Sequence, residues 1–471
     1  MKHQKSIFAC AVAATMLAGA AFASLPVVSD VAISQNGHRS VTVTYRLADA
    51  PGIVTLEILK DGEPIGGARV QHVSGDVNRL VQPTTSDEVR TITWQSKQDW
   101  PNQKSLVSSV SARVTAWATN VPPNYCVVDL ESGAMRYYLD ETYLPEGGLT
   151  NDLYRTSKLA LRKIPAGGVE TTLGGFDNEY AWQFTSTNTR EARHKVRFTK
   201  DFYMGVFEVT QAQWMKLRTS NPSAFSYSED AATRPVETVW YSGIRGSATS
   251  GIDYWTPANG VEPKSDSFCG KLRALTGAAF DLPTECQWEF AAHGGTEEMF
   301  YNGRTYFTCV DPGTGRTDDT LVAAARTNLT LLARWSGNGG VVDGMPDLRN
   351  KDSDFSAYTA ENGTARVGSY LPNGYGLYDM LGNVRETCRE MGITGTSLRS
   401  WSATDITDPV SSWAYNSSVE IVDGSPGGYA LTKGGAWFDD WDTCRPGAVS
   451  ADFYGWEGKR WAGFRVIFEI Q

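Results

Sequence analysis

Residues 371–386, LPNGYGLYDMLGNVRE, decide how the second half of the chain is interpreted. Four of these residues favour turns, because Asn and Gly adopt positive φ at little cost: Asn373, Gly374, Gly376 and Gly382. Such turns can direct backbone carbonyls inward, while Asp379 and Glu386 supply anionic oxygens. Carbonyl and carboxylate oxygens together are the ligands that calcium prefers. The segment therefore predicts a loop around a bound ion, and the alternative is a surface loop with glycine turns.

The composition predicts more than one domain and excludes one class of partner. A chain of 471 residues exceeds what one hydrophobic core normally serves, so at least two domains are expected. The 46 glycines, 15 tryptophans and 20 tyrosines indicate many turns held by large aromatic anchors. A net charge of −10 without a cluster of lysine or arginine argues against binding to nucleic acid.

Residues 1–23 have the pattern of a secretory signal peptide. Lys2 and Lys5 give a basic start, residues 7–20 are apolar, and residues 21–23 form the small-x-small ending AFA. A membrane anchor is the alternative, but this apolar run is short for a span, and no other segment is long and apolar enough. We therefore predict an exported protein. Export would place the remaining cysteines where disulfides persist, with fifteen complete pairings open: Cys126, Cys269, Cys286, Cys309, Cys388 and Cys444.

Residues 24–119 predict a separate β domain. Apolar and polar side chains alternate there with a period of two, as at Val41, Val43 and Tyr45. Tryptophans such as Trp94 argue against a disordered linker. The pattern is typical of a small immunoglobulin- or fibronectin-like β-sandwich.

The rest of the chain predicts a linker and one large domain. The sequence NVPPN begins a linker and connecting segment over residues 120–157, and a large domain then occupies 158–471. Helices are predicted over 267–276, from an apolar stripe, and after Thr284, with an end at Gly294. The stretch 301–370 is expected to be rich in loops.

Four further segments, taken together with residues 371–386, resemble the motifs of one protein family. They are 202–214 (FYMGVFEVTQAQW), 234–241 (RPVETVWY), 282–295 (LPTECQWEFAAHGG) and 433–466, which begins KGGAW and ends AGFRV. Together, and in this order, the five motifs resemble the sulfatase-modifying-factor family, whose founding activity is formylglycine generation. The resemblance covers about the last three hundred residues. It implies an α+β fold of the formylglycine-generating-enzyme type, a C-type-lectin-like domain with little regular secondary structure.

The resemblance also implies a copper site, from which this sequence departs. The family holds copper(I) with two cysteines, because soft thiolates suit that metal. The first of these positions is Cys444, but the second is Val449, which cannot bind a metal. Cys388 or Cys286 could replace it only if near Cys444. As an alternative, Cys444 is a half-cystine or a small buried hydrophobic residue.

Three further positions match the family's substrate cleft. They are Arg385, Thr387 and Trp437, and the first two replace an aromatic pair in the family's NVWEW motif. Acidic residues outnumber basic ones nearby: Asp439, Asp440, Asp442 and Asp452. We therefore expect this face to bind a target different from the family's usual one.

The calcium interpretation agrees better with the resemblance. The family's site corresponds to the side chains of Asp379 and Glu386 and the carbonyls of Gly382 and Val384. A second family site needs an aspartate where this chain has Thr359, and we expect that site to be lost or weak. Glu208, in the family's EVT motif, is expected to hold the fold together.

Two functional hypotheses remain open. The first is an exported, non-oxidising, calcium-stabilised binding module for a glycan or protein ligand. The second is a copper-dependent oxidase that generates formylglycine from a cysteine of exported sulfatases or other peptides. The few histidines lack the spacing of zinc or iron sites, and no nucleotide-binding loop is present. A thiol partner close to Cys444 would favour the oxidase.

Overall fold

The computed structural model describes residues 24–37, 40–85, 88–102, 109–174, 194–246, 262–298, 300–302, 319–339, 362–392, 406–408, 421–422, 425–426, 429–450 and 458–470. The predicted signal peptide, Cys309, Thr359 and Asp452 lie outside these residues. The described part combines several sheets with short helices, as expected for an α+β protein.

The N-terminal region consists of two antiparallel sheets and one short helix, α1 (Ser96–Asp99). Its strands are β1 (Val27–Asn36), β2 (Ser40–Ala48), β3 (Gly52–Lys60), β4 (Glu63–Pro64), β5 (Val73–Gly75), β6 (Arg79–Val81), β7 (Arg90–Trp94) and β8 (Val110–Trp117). One sheet has the order β1-β2-β7-β5, and in the other β3 pairs with β4, β6 and β8.

One hydrophobic core lies between these two sheets, because each strand presents every second side chain to it. On β2 the residues Val41, Val43 and Tyr45 are buried, as the alternation predicts. They form a single cluster with Val54 on β3 and Trp94 on β7.

The larger region contains the remaining strands, several of them only two residues long. They are β9 (Tyr125–Asp129), β10 (Met135–Tyr138), β11 (Lys158–Ile164), β12 (Glu170–Leu173), β13 (His194–Arg197), β14 (Phe202–Gly205), β15 (Phe280–Asp281), β16 (Arg385–Gly392), β17 (Ile406–Thr407), β18 (Ile421–Val422), β19 (Ser425–Pro426), β20 (Tyr429–Lys433), β21 (Val449–Ser450), β22 (Ala462–Gly463) and β23 (Ile467–Glu469). A six-stranded sheet has the order β10-β9-β11-β14-β23-β15, and a four-stranded sheet has the order β21-β20-β16-β22.

The segment 120–157 differs from the sequence-based expectation. It was expected to be a linker and connecting segment, but β9 and β10 belong to the six-stranded sheet, and β9 pairs antiparallel with β11. The cause is the apolar side chains of β9, since Cys126 and Val128 enter the core of the larger region. The larger region therefore begins before residue 158.

The described part of the larger region also contains six α-helices, two of which were predicted from the sequence. They are α2 (Leu153–Thr156), α3 (Gln211–Leu217), α4 (Tyr241–Ile244), α5 (Phe268–Thr276), α6 (Glu285–His293) and α7 (Asp319–Leu332). The Thr284 hydroxyl accepts a hydrogen bond from the Gln287 amide, and Gly294 closes α6 in the left-handed conformation, with φ of 62°. Helix α7 is a correction, because its stretch was expected to be loop, yet Ala325, Leu329 and Leu332 bury one face.

The described cysteines and helices give one observation on disulfides and one on membrane spans. Cys126, Cys269, Cys286, Cys388 and Cys444 are all buried and free, so no disulfide joins these five described cysteines. Within the described ranges, no helix is both long and apolar enough to cross a bilayer.

Candidate functional site

The loop 371–386 is fastened to the end of helix α6. Asn373 donates from Nδ2 to the Ala291 carbonyl at 2.7 Å, and its Oδ1 accepts from the Leu377 amide at 3.1 Å. A Cβ on Gly374 would lie 2.2 Å from the Gly294 carbonyl oxygen, so only glycine allows this approach. The predicted turn residues therefore form a packed, inward-facing loop rather than a free surface loop.

Glu386, a predicted calcium ligand, is occupied by protein donors. The buried guanidinium of Arg465 donates from Nε to Glu386 Oε2 at 2.6 Å and from Nη2 to Oε1 at 2.5 Å. Trp288 donates from Nε1 to Oε2 at 2.7 Å. Both carboxylate oxygens are thus bound within the protein.

Asp379, the other predicted carboxylate ligand, is only partly occupied. Its Oδ2 accepts from the Gly368 amide at 2.5 Å, and Oδ1 is buried without a hydrogen-bond partner. Burial raises the pKa of Asp379 to about 6. This residue has a φ of 57°, so the backbone itself turns at the loop's centre.

Glu208 fastens the same loop from β14's side, which is the structural role that its motif suggests. It accepts from Asn383 Nδ2 at 2.6 Å and from the Val384 amide at 3.2 Å. Burial, followed by the negative charges of Asp379 and Glu386, holds the pKa of Glu208 well above its ordinary value.

The side chains that the resemblance implies as calcium ligands are occupied to different degrees. Glu386 already holds a cation, Arg465, on both oxygens, which leaves one free carboxylate oxygen, on Asp379. Calcium takes six to eight oxygens. The Gly382 and Val384 amides donate to the Gly434 carbonyl and to Glu208, whereas the predicted ligands are the carbonyls of these two residues. In the described part of the chain, no group of three or more His, Cys, Asp or Glu side chains could hold a metal.

Cys444, the predicted catalytic residue, is a packed thiol. It is fully buried, and a Cβ on Gly435 would come within 2.7 Å of its Sγ. The thiol contacts the Ala436 carbonyl at 3.9 Å. Burial, and then the negative charge of Asp439, hold the pKa of the Cys444 thiol well above its ordinary value. The thiol therefore lies within the packed interior, in contact with the segment that contains Gly435 and Ala436.

The partner position of Cys444 in the family's copper site is occupied by Val449, which has no atom that binds copper. Val449 lies on β21, pairs with Lys433 and packs against the core cluster that contains Cys444. Of the two candidate replacements, Cys286 lies with its Sγ 3.6 Å from His194 Nε2, and the Cys388 thiol contacts the Glu386 carbonyl. Burial also holds the pKa of Cys388 well above its ordinary value.

The three residues expected in the substrate cleft are buried in the structure. Arg385 forms a two-pronged ion pair with Asp439, at 2.7 Å from Nε and 2.6 Å from Nη2. Thr387 lies within β16 opposite Thr432. Trp437 is fully buried against Phe225 and donates to the Arg460 carbonyl. A buried guanidinium requires a carboxylate, and that rule could have linked Arg385 to the acidic run from the sequence.

A partly exposed aromatic surface next to this ion pair was missed by the sequence reasoning. Phe438 and Trp461 meet edge to face, with centroids 5.2 Å apart. Lys459 lies 5.7 Å from the Trp461 ring, and Arg385 lies 5.7 Å from the Phe438 ring. We call Phe438, Lys459 and Trp461 the aromatic surface. The sequence KRW at 459–461 was the available signal.

A cavity of about 560 Å³ lies between the N-terminal region and the six-stranded sheet. Its lining includes Ile53 and Leu80 on one side and Tyr137, Phe468 and Ile470 on the other. The two regions also share a hydrogen bond, from the Tyr137 amide to the Asn78 carbonyl at 2.8 Å. None of these residues was a candidate in the sequence.

Comparison with curated proteins gives relatives of two kinds. The chain is 29% identical over 287 residues to the chaperone protein LppX of Paenibacillus barcinonensis, which covers 57% of this chain and 80% of that protein. It is 33% identical over 115 residues to the formylglycine-generating enzyme of Thermomonospora curvata and 34% identical over 112 residues to that of Streptomyces coelicolor. These two matches span 28% and 26% of the enzymes and about a quarter of this chain.

Solved structures that match this chain include Treponema denticola variable protein 1, at 21% identity and a TM-score of 0.40, and PvdO from Pseudomonas aeruginosa, at 17% and 0.37. Each covers 66% of this chain, and the match takes in 95% and 94% of those proteins. A family model described as the sulfatase-modifying factor enzyme 1-like domain matches residues 160–470. The chain therefore belongs to the sulfatase-modifying factor family through this domain.

Proposed function

We propose that this protein is a non-oxidising member of its family that works as an exported binding module for a protein or glycan ligand. The observation that carries the proposal is the position of Cys444, a buried thiol packed against Gly435, with valine at its partner position. Copper(I) needs two thiolates for a stable linear site, and one thiol among carboxylates does not supply them.

The Arg385–Asp439 ion pair supports the same conclusion. Both side chains are almost fully buried, and Asp439 also accepts from the Ala436 amide at 2.8 Å. The pair therefore fixes the segment that carries Trp437 and leads to Cys444. A peptide would have to break this bonded pair to reach the thiol, which costs several kcal/mol, about 3–5.

The aromatic surface is the proposed place of ligand contact. Partly exposed rings with a neighbouring cation suit sugar rings and protein side chains, because one apolar face and one charge are offered together. The similarity to a protein named as a chaperone supports a binding role. The C-type-lectin-like fold and the sandwich type of the N-terminal region belong to the same proposal, as does export through residues 1–23.

The alternative is formylglycine generation, and the similarity to two formylglycine-generating enzymes favours it. One assay separates the two functions. The purified protein is incubated with copper(I), oxygen and a peptide containing the sequence CxPxR, and the peptide is analysed by mass spectrometry. We expect no aldehyde product. An aldehyde formed at turnover and abolished by Cys444→Ser would establish the oxidase instead.

The binding role has its own test. Glycan and peptide arrays are probed with the wild type, with a Phe438→Ala/Trp461→Ala variant and with Leu331→Ala, an exposed apolar control on α7. We expect the double variant to lose at least about tenfold in affinity and the control to keep it, as for aromatic anchors at interfaces. Equal binding by all three proteins would exclude the aromatic surface as the place where the ligand binds.

A further inference from the structure

The cavity between the N-terminal region and the six-stranded sheet is larger than a packing defect. Its volume is about 560 Å³, and protein interiors seldom leave voids larger than a water molecule. Pockets that hold small organic molecules measure about 300–1,000 Å³ and often lie between domains. A Cβ on Gly277, in the lining, would meet nothing within 4 Å, as expected beside open space. The cavity therefore has the size and the position of a small-molecule site.

One wall of the cavity is a row of aromatic rings from the six-stranded sheet. Tyr203 stacks on Phe468 with centroids 4.9 Å apart, and Tyr137 meets Tyr203 edge to face at 6.2 Å. The Tyr203 hydroxyl donates to the Pro123 carbonyl at 2.5 Å, and the Tyr137 hydroxyl is hydrogen-bonded to the Cys126 thiol. Both hydroxyls are used within the protein, so the rings offer an apolar surface that suits an aromatic ligand.

The opposite wall belongs to the N-terminal region and reaches solvent. Ile53 and Leu80 line it, and Ile53 is buried whereas the apolar Leu80 is 44% exposed. The Tyr137 amide donates to the Asn78 carbonyl at 2.8 Å, which holds this wall to the sheet close to Leu80. Leu80 therefore lies where the cavity opens to solvent.

Arg273, on α5, gives the cavity lining a positive charge. Its Nε donates to the Phe280 carbonyl at 2.6 Å, which leaves its two terminal nitrogens for anions. The neighbouring Asp281 lies 3.6 Å away, but Arg245 already binds both of its oxygens, at 2.8 and 3.0 Å. Arg273 also pairs with Glu262, whose side chain is 69% exposed. Because an exposed ion pair contributes little, a carboxylate in the cavity can take the place of Glu262.

Glu469 also borders the cavity, but its carboxylate lies on the other side of the sheet. Side chains alternate along a strand. On β23, Phe468 packs in the core cluster that contains α5 residues, whereas Ile467 packs in the cluster that contains α6 residues. Glu469 follows Ile467 in this alternation and accepts from Gln287 Nε2 of α6 at 3.3 Å. Of the charged lining residues that the structure describes, Arg273 is therefore the one available to a ligand.

We propose that this cavity binds a small aromatic carboxylic acid, with the ring of the ligand against Tyr137, Tyr203 and Phe468 and its carboxylate paired with Arg273. A guanidinium suits a carboxylate because it offers two parallel hydrogen bonds together with the opposite charge. None of the described lining residues belongs to the aromatic surface, so this inference does not depend on the ligand proposed there.

The first test measures the binding of two matched probes, naphthoate and its uncharged amide naphthamide, to the wild type by isothermal titration calorimetry. We expect saturable binding of naphthoate, about tenfold or more tighter than that of naphthamide, because the amide lacks the charge that pairs with Arg273. Equal affinities for the two probes, or no saturable binding of naphthoate up to about 1 mM, would overturn the proposal.

The second test locates the site with variants. Arg273→Gln should weaken naphthoate about tenfold or more and leave naphthamide unchanged. Its control, Arg197→Gln, should change neither, because Arg197 lies in an exposed pair 3.6 Å from Glu170. Leu80→Trp narrows the opening and should weaken both probes about tenfold or more. Equal naphthoate affinities for the two arginine variants, or undiminished binding by Leu80→Trp, would contradict the proposed site. If Arg273→Gln does not fold, the wild-type comparison and Leu80→Trp decide.

Discussion

At the scale of single residues, this protein is organised by paired charges in its interior. Arg465 meets Glu386, Arg385 meets Asp439, and Lys433 meets Glu289 at 2.7 Å with both side chains buried. Buried pairs add little net stability over apolar residues, but a broken pair leaves an expensive lone charge. Each pair therefore fixes the position of its segments.

Asp439→Asn tests this view against a neighbouring pair. We expect it to lower the free energy of unfolding by about 3–5 kcal/mol, because the buried Arg385 guanidinium then loses the negative charge that lies 2.6 Å from it. The matched control is Asp440→Asn, whose partner Arg326 lies 3.1 Å away in a pair about half exposed on each side. That change should cost at most about 1 kcal/mol in urea unfolding. Equal losses in the free energy of unfolding would show that the buried Arg385–Asp439 pair matters no more than the exposed Arg326–Asp440 pair.

Glu237 gives a prediction about pH. Burial raises its pKa from 4.5 to about 7, although Thr238 and the Phe225 amide hydrogen-bond to its oxygens. The folded state binds the Glu237 proton more tightly than the unfolded state does. The stability that this proton contributes is therefore fully present below pH 4.5 and is lost as the pH rises through 7.

Glu237→Gln should therefore change how stability depends on pH. Between pH 5 and 8 the wild type should lose roughly 3 kcal/mol relative to the variant, as measured by urea unfolding at both values. Other titrating groups cancel in this difference because both proteins contain them. Parallel pH profiles for the two proteins would contradict the raised pKa.

At the scale of helices and strands, the sequence predicts an element when the signal lies within that element's own residues. It does not predict an element that depends on contacts with distant parts of the chain. Helix α5 was predicted from its apolar stripe and helix α6 from its cap at Thr284, because both signals lie within the segments themselves. Strands β9 and β10 were missed because the prolines before them suggested a linker. Helix α7 was missed although its apolar residues recur at helical spacing.

The site could be predicted only in part, for a related reason. The loop 371–386 was recognised from its own turns, and Glu208 from its motif. The partner of Glu386 is Arg465, 79 positions along the chain, and that of Arg385 is Asp439, 54 positions along. Such pairing follows from sheet order, which a single sequence does not display. The burial of Trp437 also follows from sheet order and could not be predicted for the same reason.

Two helix ends offer a matched test of close packing. Gly277 and Gly294 both end helices with positive φ, at 74° and 62°. A Cβ at Gly277 would meet nothing within 4 Å, whereas one at Gly294 would lie 2.7 Å from the Gly374 amide nitrogen. Gly277→Ala should cost about 1–2 kcal/mol in chemical unfolding, the price of the left-handed backbone alone.

Gly294→Ala should cost more than Gly277→Ala by about 1–3 kcal/mol, because the loop 371–386 must also move away. The comparison removes the common backbone effect. Equal losses in the two variants would mean that the loop is not packed against the end of α6.

At the scale of the whole molecule, the N-terminal region has a core of its own but is not isolated. Its thirteen-residue cluster from Val41 to Val114 is complete without the larger region. Tyr143 packs against that cluster from outside, and Gln71 donates to the Thr142 carbonyl at 3.0 Å. The two regions thus contact each other through Thr142 and Tyr143, which lie in the segment that was predicted to be only a linker.

The fragment 24–119 should fold alone, with lower thermal stability than a fragment extended to residue 145. The reason is that the longer fragment keeps Tyr143 on the cluster. Circular dichroism of both fragments checks this, with Trp94→Ala as a variant that removes the fully buried ring. A random-coil spectrum for both fragments would show that the region depends on the larger one for folding.

The central claim, that Cys444 no longer binds copper, is tested most directly by a copper(I) competition titration. Wild type and Cys444→Ser are titrated against a coloured copper(I) chelator under reducing conditions. The account predicts identical curves, because the thiol is buried and Val449, at its partner position, offers no atom that binds copper. One copper retained per wild-type chain against the chelator, and lost in Cys444→Ser, would contradict it.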